Sequence, residues 1–106
     1  MKQISVEEVK EGLEKNDNMI ILDVRSKEEV ERGKIEGSIH VPVNEIRGKI
    51  ESVIPEKNTG IIVYCLSGSR SFIAAEVLED LGYISVFDMQ NGLLAWRSKG
   101  YPLTQS

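Results

Sequence analysis

Cys65 is the only cysteine of the chain, and it opens the run Cys65-Leu66-Ser67-Gly68-Ser69-Arg70-Ser71. A thiol, a stretch of small residues whose backbone N–H groups can turn inward, and a guanidinium suited to an oxyanion stand together there. The run follows Gly60-Ile61-Ile62-Val63-Tyr64, an apolar segment that reads as a strand covered on both faces. It leads into a segment in which Ala74, Val77, Leu78 and Leu81 share one helical stripe. In an α/β sheet that junction lies at the carboxyl end of a strand, where ligands sit, and the positive end of the following helix points at it. Such a cradle favours anions, and a cysteine thiolate is one. The expected chemistry is nucleophilic attack by the sulfur of Cys65. The N–H groups of Leu66, Ser67, Gly68, Ser69 and Arg70 would hold the negative charge. The competing reading of a lone cysteine is a buried structural thiol; the company of Gly68 and Arg70 weighs against it.

Other reactive types are placed less tellingly. His40, the one histidine, lies between Ile39 and Val41 just before Pro42, and is expected to be structural. Asp23 ends a buried strand and so reaches the same edge of the sheet, yet its simplest role is to bind nearby backbone or pair with Arg25. Glu29 is read as structural too. Trp96 and Leu94 are expected in the core, and Glu7-Glu8, Glu28-Glu29 and Glu79-Asp80 on solvated helix faces. The loop after Tyr64 lacks the GK[ST] ending of a nucleotide-binding P-loop.

The elements that must position Cys65 follow from capping and periodicity. Ser5 with Glu8 and Ser26 with Glu29 form two capping boxes, and Ile4 can staple against Val9. The first helix presents Val6, Val9 and Leu13 and breaks at Asn16-Asp17-Asn18. Met19-Ile20-Ile21-Leu22 is a buried strand and Ser38-Ile39-His40-Val41 a short one; Asn44 is a candidate cap for a helix through Ile46, Ile50 and Ile54. Ser85-Val86-Phe87 reads as the last strand. Asn91 is a candidate cap for a final helix stopped by Gly100 and Pro102. Strands alternating with helices over short loops predict an α/β fold, a mostly parallel central sheet with helices on both faces. The 106 residues fit one domain, 1–106. A net charge of -4 argues against nucleic acid or an anionic membrane as partner. No apolar run is long enough for a membrane span or a signal core, so a cytoplasmic location is expected. A single cysteine leaves neither a disulfide nor a multi-cysteine metal site, and no cofactor is implied.

Three stretches in order resemble the signatures of a single-domain rhodanese, a sulfurtransferase module. They are Asp23-Val24-Arg25 with Gly33-Lys34-Ile35-Glu36-Gly37-Ser38-Ile39-His40-Val41-Pro42, the loop 65–70, and Asn91-Gly92-Leu93-Leu94-Ala95-Trp96 with Gly100-Tyr101-Pro102. The resemblance covers residues 4–102. It departs at Lys34 and Glu36, where the family often has His and Pro, and at Asn91, where it has a second Gly. Leu66 and Ser67 stand where thiosulfate-using members carry a basic pair, which leaves the sulfur donor open. Four residues separate Cys65 from Arg70, whereas cysteine phosphatases of the related cell-cycle type use five, a wider loop that admits phosphate or arsenate. The resemblance therefore implies sulfur transfer from a small anionic donor such as thiosulfate, through a persulfide on Cys65, to cyanide or a thiol or protein acceptor. A persulfide carrier or interaction module with slow turnover is the first rival; a small cysteine phosphatase or arsenate reductase is the second.

Overall fold

The computed structural model describes residues 1–105. Five parallel strands make one sheet in the order β1-β5-β4-β2-β3. They are β1 (Lys2–Ile4), β2 (Ile20–Asp23), β3 (Ile39–His40), β4 (Ile61–Tyr64) and β5 (Val86–Met89). Five helices connect and flank them: α1 (Val6–Glu14), α2 (Lys27–Glu31), α3 (Ile46–Val53), α4 (Ser69–Asp80) and α5 (Gly92–Ser98). β4 carries no charged residue, and neither does β2 before Asp23, because both faces of these strands are covered. Leu22, Ile61 and Val63 face α3 and α4, where they meet Ile46, Ile50, Ala74 and Leu78. Ile21, Ile62 and Tyr64 face α1 and α5, against Val6, Val9, Leu93 and Trp96. The expected architecture, helices on both faces of a parallel sheet, is the one observed.

Both capping boxes form, with the hydroxyls of Ser5 and Ser26 accepting from the N–H groups of Glu8 and Glu29. Elsewhere local expectations give way to tertiary packing. Asn44 caps nothing: it sits inside a single 3-10 turn, Val43–Glu45, and α3 begins at Ile46. Asn91 occupies the helix-start position in the left-handed region (φ 61°) with no side-chain cap bond. Leu94 and Leu13 project outward, while Trp96 is buried and donates its indole N–H to the carbonyl of Pro102 at 2.9 Å. The edge strand β1 has no local signature of its own; it exists because Gln3 and Ile4 pair with Asp88 and Met89 of β5. No helix among the described residues is long and apolar enough to cross a membrane.

Beneath the carboxyl ends of β2 and β4 lies a buried polar knot. Arg25 donates to both carboxylate oxygens of Asp23, at 2.8 to 3.2 Å, and to the carbonyl of Gly33 at 2.7 Å. The phenol of Tyr64 donates to Asp23 at 2.6 Å and accepts from the N–H of Ile35 at 3.1 Å. Burial pushes the Tyr64 phenol up, and the neighbouring carboxylate of Asp23 adds to this. Each charge is therefore met by partners, which is what lets it sit in a closed core. Asp23 and Arg25 are structural, as expected. So is His40, whose Nε2 lies 2.7 Å from the carbonyl oxygen of Arg25. Tyr64→Phe should cost about 1–3 kcal/mol, because it strands the N–H of Ile35 and removes a bond to a charged oxygen; urea unfolding measures it, and an unchanged midpoint would refute the role assigned to the knot.

Candidate active site

Cys65 follows the last residue of β4 and is completely buried, deeper than a thiol at the mouth of a loop. The chain then rises through Leu66, Ser67 and Gly68 and turns into α4. Gly68 makes that turn at φ 113°, a conformation that a side chain would oppose. The turn aims two backbone N–H groups at the sulfur: Gly68 donates to Sγ at 3.1 Å and Ser71 at 3.3 Å. The Ser71 hydroxyl lies 3.5 Å from Sγ and donates to the carbonyl of Gly68 at 3.1 Å. The N–H groups of Leu66, Ser67, Ser69 and Arg70 have no hydrogen-bond partner among the described residues. They remain available to a ligand. Ser71 belongs to this cradle although it was not among the candidate residues. Its signal is positional, the third residue of a helix whose first turn has free N–H groups.

The loop is held from outside by α5. The N–H groups of Leu93 and Leu94 donate to the carbonyls of Cys65 and Leu66, both at 3.0 Å. The approach is so close that a Cβ on Gly92 would lie 2.4 Å from the Cys65 oxygen and 2.6 Å from that of Leu66. Gly92 also adopts φ 51°, so two independent constraints demand glycine there.

Arg70 does not direct its guanidinium at the sulfur. Nη1 and Nη2 make a two-pronged pair with the carboxylate of Glu29, at 2.6 and 3.0 Å. Glu29 thereby spans the N-terminus of α2, the cap Ser26 and the active loop. The bond from Arg70, reinforced by the N–H and hydroxyl of Ser26, holds the Glu29 carboxyl down at about 2, despite partial burial. Arg70 is thus a strut of the loop through its side chain, while its backbone N–H has no partner among the described residues. The structural reading of Glu29 holds, with a partner 41 residues away.

This is the fold of a sulfurtransferase family. The model of the rhodanese-like domain matches residues 5–99, and the chain belongs to that family. A sulfurtransferase of Allochromatium vinosum is 29% identical over 103 residues, covering 97% of this chain and 94% of its own. The Escherichia coli thiosulfate sulfurtransferase is 35% identical over 65 residues, 61% of this chain and 62% of its own. A rhodanese-related protein from Thermoplasma volcanium superposes with a TM-score of 0.88 at 30% identity, with 100% of each chain covered.

Two outcomes follow from the supports of the loop. Gly92→Ala should destabilise the protein by about 1–3 kcal/mol and displace the amide resonances of Cys65 and Leu66, because backbone has to move to admit the methyl group. Wild-type spectra for the variant would show that α5 does not set the loop. Because the folded pKa of Glu29 is depressed, its ion pair contributes stability that is fully present above the unfolded value near 4.5 and is lost as pH falls through about 2. Glu29→Gln should therefore lower the melting temperature at pH 7 and make little difference at pH 2; an equal effect at both would assign its contribution to packing instead.

Proposed function

We propose that this protein transfers a sulfane sulfur through a persulfide on Cys65. The thiolate of Cys65 attacks the outer sulfur of an anionic donor such as thiosulfate. A bond forms between Sγ and that sulfur, the S–S bond of the donor breaks, and its electron pair leaves with sulfite. The terminal sulfur of the persulfide carries the negative charge, and the N–H groups of residues 66–70 are the donors that stabilise it. A nucleophilic acceptor, cyanide or a thiol, then takes the outer sulfur and returns the electron pair to Sγ. The two half-reactions make ping-pong kinetics the expected pattern.

The observation that carries the reading is the pair of N–H groups from Gly68 and Ser71 on Sγ, in a loop with four further N–H groups that have no partner among the described residues. Depth adds to it. Cys65 is fully enclosed, and a terminal, one-coordinate sulfur is the electrophile that disturbs the loop least. A phosphoryl centre would bring three oxygens to the same place, in a loop with four residues between Cys65 and Arg70. The Escherichia coli relative, a thiosulfate sulfurtransferase, supports thiosulfate as the donor to test first.

Mixing the protein with thiosulfate should add one sulfur atom to its intact mass, and cyanide should remove it as thiocyanate. Cys65→Ser should abolish both while its circular dichroism stays unchanged, since a hydroxyl is a far weaker nucleophile at neutral pH. Sulfur retained on the folded variant would place the chemistry on another residue. An unloaded wild type that hydrolyses an aryl phosphate would favour the phosphatase alternative.

A further inference from the structure

A cleft of about 450 Å³ opens beside the active loop. Ser67 and Gly68 of the loop, Phe72 of α4, Gln3, Gln90 and Asn91 line it. Anything lodged there lies against the segment that follows Cys65. At its base is Asp88 of β5, 3% exposed. Its Oδ2 accepts from the amide of Gln3 at 3.0 Å, but Oδ1 is buried without a hydrogen-bond partner among the described residues. An unpaired buried carboxylate oxygen is costly in a folded protein, and most are satisfied. Asp88 is the one charged side chain lining the cleft. The nearest cation of the loop, Arg70, is already bound to Glu29. Phe72 is half-exposed and adds an aromatic face. Carboxylate, aromatic ring and neutral amides together are a receptor for a protonated amine, not for a second anion. Gln3 lies on the exposed edge strand, so its amide can yield Asp88 to an incoming donor.

We propose that this cleft is the subsite of the sulfur acceptor, and that Asp88 selects a thiol bearing a protonated amine a few bonds from its sulfur. The proposal rests on the sulfur-transfer reading above. The ammonium group of such an aminothiol displaces the Gln3 amide and bonds the Asp88 carboxylate, and its thiol is delivered to the loop. That thiol attacks the outer sulfur of the Cys65 persulfide, the bond from that sulfur to Sγ breaks, and the electron pair returns to Sγ. The acceptor leaves as a persulfide, its displaced proton passing to the bulk solvent or to Cys65. No oxidant or reductant is consumed.

The test compares three acceptors on protein already loaded with sulfur: cysteamine (cationic), 2-mercaptoethanol (neutral) and 3-mercaptopropionate (anionic), each rate divided by the thiolate concentration present. Wild type should favour cysteamine over 3-mercaptopropionate by about tenfold, the scale of one charge-assisted hydrogen bond. In Asp88→Asn the ratio should fall close to one. Gln3→Lys, at an exposed position of the edge strand, should do the same by supplying Asp88 with an internal ammonium. A wild-type ratio near one, or a ratio unmoved by both variants, overturns the proposal and leaves Asp88 a structural carboxylate. Should no sulfur load onto Cys65, the sulfur-transfer reading fails instead, and the cleft is judged by binding alone. Titration with 2-aminoethanol should then shift the amide resonances of Ser67, Gly68 and Asn91 in wild type and not in Asp88→Asn; no shift in wild type overturns the proposal.

Discussion

A trans peptide carries its C=O and its N–H on opposite sides, and the active loop depends on that geometry. The N-terminus of α5 takes hold of the Cys65 and Leu66 carbonyls from outside. The N–H groups of Leu66 and Ser67, which share peptide planes with those carbonyls, are thereby turned the other way. Further along, the N–H groups of Gly68 and Ser71 are fixed on the thiol, so that they need no reorganisation when charge arrives. The close approach of Gly92 makes this possible, and the position of α5 is secured in turn by Trp96, packed under Tyr101 and bonded to Pro102.

A second layer supports the first. The loop is braced from the opposite side by Glu29, which couples Arg70 to the capping box of α2. The strand before α2 is pinned by the knot of Asp23, Arg25 and Tyr64, and Tyr64 is the residue immediately before Cys65. The charged groups nearest the sulfur are therefore mostly scaffold. What faces Sγ is backbone N–H and the Ser71 hydroxyl, dipoles whose sign cannot be titrated away.

Much of this was legible in the chain itself. Capping boxes, the apolar run of β4 and the spacing from Cys65 to Arg70 are local patterns, and local physics produced the elements they imply. The failures share a cause. The edge strand β1 is three residues long and forms against a partner more than eighty positions away, as Gln3 and Asp88 show. Arg70 carries a formal charge that suggests a substrate, yet its destination is set by Glu29, which only the folded sheet brings near. Asn44 and Asn91 have the right residue type for caps, but Pro42 and the loop contacts of α5 dictate the backbone there. Asp88 drew no notice because an aspartate in an apolar strand betrays nothing until its unpaired oxygen is seen.

The clamp of α5 on the loop has a consequence for synthesis. Ribosomes deliver the thiol first and the residues that orient its donors some thirty positions later, as the order of Cys65 and Gly92 requires. A nascent chain halted between them carries a cysteine on an unfinished sheet, with the carbonyls of its loop unclaimed and the edge partners β1 and β5 not yet joined. Its sulfur is then an ordinary side chain. On the proposed reading, the thiol becomes a nucleophile only after Gly92 and Trp96 have been made and the clamp on its loop can close.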